Sequence, residues 1–129
     1  MDKRRLEMDK PQDFLFVPYR RDLIGLLAGD LASRLAKEDL VDYMQSCPVV
    51  LSARITTPDD IDSTGDPIPL IFFTDGSWIW NAEVVEYVKR YDMTVPPEFI
   101  EHVVRQNSNA PMVDEQRLEK ALNLLGSGS

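Results

Sequence analysis

Asp59, Asp60, Asp62 and Asp66 crowd into the ten residues "PDDIDSTGDP" that begin at Pro58. Carboxylates at that density bind a cation, form a solvated turn or meet a basic surface. Asp60, Asp62, Thr64 and Gly65 imitate the first half of an EF-hand loop, but its twelfth place holds Ile71 where a bidentate Glu belongs. A strand pattern follows instead of a helix, so no metal is expected, and a contact surface for a basic protein is the functional reading. His102, the single histidine, stands beside Glu101 and four residues after Glu98, a spacing suited to general acid–base work. No nucleophile in a G-x-S-x-G turn accompanies it, and a surface histidine is expected. Cys47 precedes Pro48 at the entrance to a strand, where a small buried hydrophobe fits. The "GLLAG" of 25–29 lacks the Lys and Ser/Thr of a phosphate-binding loop. These residues assign no catalytic role and no cofactor.

Charge narrows the partner. The chain of 129 residues carries a formal net charge of −8, with residues 1–21 at +2 and the remainder at −10. Such a surface repels nucleic acid and anionic lipid, which bind through Lys and Arg contacts to phosphate, and attracts a basic protein. A hydrophobic fraction of 43% with 28% charged residues belongs to a folded, soluble chain. With one cysteine there is neither an internal disulfide nor a paired-thiolate zinc site. No apolar run has the length of an export signal or a membrane span, and a cytoplasmic location is expected.

The elements that must position these residues follow from periodicity. Residues 1–13 show no apolar period and read as a flexible arm; 14–125 read as one domain; Gly126 to Ser129 read as a linker or cloning scar. "FLFVPY" (14–19) suggests an extended piece laid against the core rather than a central strand. Leu23, Leu27, Leu31 and Leu35 predict a helix capped by Asp22, with Gly25 and Gly29 allowing close packing. Leu40, Tyr43 and Met44 carry an apolar helical face that ends before Pro48. "PVVLSARI" (48–55) reads as a strand.

"IPLIFFT" and "SWIW" flank Asp75-Gly76, which predicts a two-residue type I′ hairpin pairing Thr74 with Ser77 and Phe73 with Trp78. Ile71, Phe73, Trp78 and Trp80 then share one face, and Leu70, Phe72 and Ile79 the other. Two apolar faces mean two coverings, or one core face and one binding surface presenting Trp78 and Trp80. Asn81 caps a helix with Val84, Tyr87, Val88 and Tyr91 along one side, and Pro96-Pro97 open another with Phe99, Ile100, Val103 and Val104 inward. Asp114 caps a last helix. The fold class is α+β: a small antiparallel sheet of about three strands with four to five helices.

Within residues 74–103, Asp75, Gly76, Trp78 and Trp80, then Tyr87 and Val88, then Val95, Pro96, Glu98 and Phe99 form a D-G-x-W-x-W hairpin, a helix and a (L/V)-P-x-E-F helix. This module resembles one found in small bacterial proteins, some of them similar to immunity proteins of toxin systems; Asn81 stands where that pattern has Pro. The resemblance implies a structural role for these residues and a function in blocking a toxin domain. The leading expectation is a non-enzymatic binding protein that meets a basic partner through Asp59, Asp60, Asp62, Asp66, Trp78 and Trp80. The alternatives are an enzyme using His102 with Glu98 or Glu101, and a homodimer that buries the tryptophan face against its copy.

Overall fold

Asp75 and Gly76 do reverse the chain between β3 (Ile68–Thr74) and β4 (Trp78–Asn81), but not as a type I′ turn. Gly76 has φ +97°, and Asp75 is absent from the positive-φ region that a I′ turn needs at both centres. The pairing is Thr74 with Ile79, Phe73 with Trp80 and Phe72 with Asn81, two residues out of the expected register. The cause is the chemistry of the turn. Asp75 accepts hydrogen bonds from the amides of Ser77 (2.9 Å) and Trp78 (2.8 Å), while the Thr74 hydroxyl donates to the Trp78 carbonyl (2.7 Å) and accepts from Gly76. A slip of two preserves the faces of a strand, so the grouping of Phe73 with Trp78 and Trp80 survives.

The structure, a computed structural model, describes residues 14–31 and 34–127; the arm expected over 1–13 lies outside them. Among the described residues the sheet has four strands in the order β1-β4-β3-β2, rather than three. β2 (Val49–Thr57) lies antiparallel to β3. The added strand is β1 (Leu15–Phe16), parallel to β4 and tied to it through the amides of Leu15 and Val17, so the sheet is mixed and "FLFVPY" supplies an edge.

The long helix expected from Asp22 is broken. A 3₁₀ turn (Arg21–Leu23) precedes Gly25 at φ +85°, and α1 covers only Leu27–Leu31. Asp22 does not cap it: its carboxylate pairs with Arg20. Nor does either glycine permit close packing, since a Cβ at Gly25 or Gly29 would meet nothing within 4 Å. Gly25 serves the left-handed bend, after which the amides of Gly25 and Leu27 donate to Asp92. Then follow α2 (Lys37–Ser46), α3 (Ala82–Tyr91), α4 (Pro97–Arg105) and α5 (Glu115–Ser127). Asn81 accepts from the Glu83 amide (2.5 Å) and Asp114 from the Arg117 amide (2.8 Å), as their sequence positions predict. The last helix continues through Gly126 and Ser127, where a linker was expected. The whole is one α+β domain.

Both faces of the β3–β4 hairpin are covered. On one, Trp78 and Trp80 join Tyr43, Met44, Tyr87, Val88, Phe99 and Val103 in the main core. On the other, Ile79, Phe72 and Val50 pack with Phe14 and with Ala121, Leu124 and Leu125 of α5. Arg117 fastens that helix, donating from Nε to the Gly76 carbonyl (2.7 Å) with its guanidinium 4.1 Å from the Phe14 ring centroid.

Candidate functional site

The acidic loop between β2 and β3 is built on its one buried carboxylate. Asp59 is 2% exposed. Its Oδ1 accepts from the amides of Ile61 (2.7 Å) and Asp62 (2.9 Å), and its Oδ2 from Arg90 and from the Tyr91 hydroxyl (both 2.8 Å). Burial alone would push this carboxyl up, but the Asp62 amide, the Tyr91 hydroxyl, the Ile61 amide and Arg90 together hold it at about 2. Tyr91 in turn is pushed up to about 12, first by its bond to Asp59 and then by burial. Arg90 also pairs with Glu86 one helical turn back and donates to the Asp66 carbonyl.

Three tyrosines extend this anchor. The rings of Tyr19 and Tyr87 stack at 4.5 Å and those of Tyr87 and Tyr91 at 5.7 Å. The Tyr19 hydroxyl donates to Asp60 (2.8 Å), and the Asp60 amide donates to the Tyr87 hydroxyl (2.5 Å). The helical spacing of Tyr87 and Tyr91 on α3 makes the stack, so one helix face reads out into the loop. What remains outward are Asp60, Asp62 and Asp66, all exposed. Asp62 binds the amide and hydroxyl of Thr64, and Asp60 also meets Arg21. Glu83 beside them is pushed up, by burial first and by the Asp60 carboxylate second. Among the described residues no cluster of His, Cys, Asp and Glu has the arrangement of a metal site.

Of the residues expected at the partner surface, then, Asp60, Asp62 and Asp66 are brought together and exposed. Asp59 is not: it is the bolt beneath them. Trp78 and Trp80 are buried, at 6% and 1% exposure, and form no surface. Both indoles pack against Phe99 with centroids 5.2 and 5.3 Å away, and Trp80 Nε1 donates to the Met44 carbonyl. The aromatic wealth of the hairpin is core. The two indoles therefore leave almost no exposed area for a copy of the chain to cover.

His102 is not a surface residue paired with a glutamate. Its Nε2 lies 2.9 Å from Oδ2 of the buried Asp75, without the alignment of a hydrogen bond. Glu101 instead pairs with Arg34, and Glu98 is exposed. Asp75 also accepts from the Tyr43 hydroxyl (2.7 Å), so it joins the turn, α2 and α4 in one polar knot. Cys47 is buried, and its thiol is pushed up to about 12 by burial and then by Asp75, which keeps it protonated. Among the clefts formed by the described residues are three of about 270, 390 and 320 Å³, and none of these is lined by His102, Asp75 or Cys47.

Sequence reasoning missed two hubs, Arg90 and Asp75. Arg90 stands in the last turn of α3, where a cation suits the helix dipole, and Asp75 stands in the hairpin turn, so each has a local role that hides the distant one. Their buried partners stand 31 and 32 residues away, a separation that no local pattern reports. No helix among the described residues is long and apolar enough to cross a membrane. Comparison with family models, curated proteins and solved structures found no match.

Proposed function

We propose that the protein is a non-enzymatic binding protein that holds a basic protein partner against its acidic loop, in the manner of an immunity protein covering a toxin domain. One observation carries this: Asp60, Asp62 and Asp66 face solvent on a loop whose backbone is pinned by Asp59, Arg90 and three stacked tyrosines. Carboxylates held in place lose less entropy when they meet Lys or Arg, and the net charge of −8 draws a cationic partner from a distance. The partner acts in the cytoplasm, where the lone Cys47 stays reduced. The toxin assignment adds the resemblance of residues 74–103 to the immunity-like module.

The test is capture of a partner on the immobilised protein, from cells that carry its gene, followed by association rates at rising ionic strength. A basic partner whose association slows steeply with salt, and whose own activity is blocked in the complex, supports the reading. An acidic partner, or salt-independent association, overturns it.

A further inference from the structure

β2 is the longest strand of the sheet and stands at its edge. It covers Val49–Thr57, and β3 is its only neighbour among the described residues. On such a strand every second residue turns its N–H and C=O outward, away from the neighbour, as a template for another extended chain. Edges are ordinarily kept short; the opposite edge here, β1, has two residues. β2 has nine, and it leaves Val49 and Ile55 about half exposed, at 50% and 57%, with Leu51 at 36%. Three residues beyond Thr57 the exposed carboxylates of the acidic loop begin.

We infer that the β2 edge is a docking strand for an extended basic segment of the partner, which adds a fifth strand along Val49–Thr57 and brings its cationic end to Asp60, Asp62 and Asp66. The inference rests on the proposed function and names how that surface engages its partner. Charge complementarity selects the occupant. A second copy of this chain brings the same net charge of −8 to the edge, whereas a Lys-rich or Arg-rich strand brings the opposite sign. The strand also deviates from regular register between Val49 and Leu51 and between Ala53 and Thr56. Irregularities of this kind twist an edge away from flat pairing, so the regular stretch open to an added strand is short. Main-chain bonds supply the affinity in this mode, and the alternate apolar side chains and the carboxylates supply the selectivity.

The test uses two synthetic octapeptides of equal charge, one alternating Lys and Val and one with each Val replaced by Pro, and follows backbone amide exchange of the full chain. At saturation the Lys-Val peptide slows exchange of outward amides in residues 49–57 at least tenfold, and the Lys-Pro peptide does not. Val49→Lys together with Ile55→Lys, both at exposed positions, abolishes that protection while the melting temperature holds. If both peptides bind equally and neither protects residues 49–57, docking on β2 is overturned and the acidic surface still stands. Failure of both to bind at low salt overturns the two readings together. A dimer in light scattering, with residues 49–57 already protected in the free protein, gives the edge to a second copy and also overturns the inference.

Discussion

Asp59 differs from its three neighbours in everything but residue type. Its four hydrogen bonds hold the carboxyl at about 2 against an ordinary 3.8. A depressed folded-state value means that ionised Asp59 stabilises the fold fully above its unfolded value. That contribution fades as pH falls from about 4, where the unfolded chain takes up the proton, to about 2, where the native carboxyl does. Asp59→Asn therefore lowers the melting temperature at neutral pH, and by much more than Asp62→Asn does. The gap between wild type and the Asp59 variant narrows as the buffer is taken from about pH 5 to about pH 2. A gap that stays constant over that range would show that the carboxylate charge is not what holds the loop. Cys47 is the second residue whose setting decides its chemistry. With its thiol near 12 it resists iodoacetamide at neutral pH in the native protein and reacts once urea exposes it; rapid native alkylation would contradict its burial.

At the scale of elements, the glycines divide by backbone angle. Gly25 sits at φ +85° with open space around its Cβ position, so Ala there introduces left-handed strain of about 1–2 kcal/mol without a clash. Gly29 lies inside α1, also with open space, and Ala there raises stability by roughly 0.5–1 kcal/mol. Gly76→Val at φ +97° costs about 1–3 kcal/mol because a β-branched residue resists that conformation. Urea midpoints measure all three. Equal shifts at Gly25 and Gly29 would restore the unbroken helix that leucine spacing alone predicts. That spacing is a fair guide to apolar faces, and Leu27 and Leu31 are indeed buried. It says nothing about where a glycine ends the ladder. The Asn81 and Asp114 caps were legible because a cap is a bond to an amide two or three residues away. The hairpin faces were legible because they repeat every two residues, whereas the register was not, since it depends on which turn amides Asp75 binds.

For the whole molecule the long-range term is charge. Asp60→Asn, Asp62→Asn and Asp66→Asn combined leave folding nearly intact, because exposed charges add little to stability; Asp59 has to be spared. Against the captured basic partner this triple variant associates more slowly and with a shallower dependence on ionic strength, with a smaller change in dissociation. Stopped-flow association at several salt concentrations reads both quantities. Identical rates and slopes for wild type and variant would remove the loop from the encounter.

Composition and local period settled, before any coordinate, that this is an acidic α+β domain whose hairpin is apolar on both faces. They also settled that Asn81 opens a helix and that residues 58–67 form a loop dense in carboxylates. Each of these depends on neighbours a few positions apart or on a sum over the chain. Only the tertiary structure decided which aspartate lies beneath Arg90 and Tyr91, that α5 closes the second sheet face over Ile79, and that Trp78 and Trp80 are core rather than contact surface. An aspartate and a tryptophan carry no local mark of burial: desolvation is decided by what packs on top, and here Asp59 lies under Arg90 and Tyr91 while both indoles pack on Phe99, partners 19 to 32 residues away in the chain.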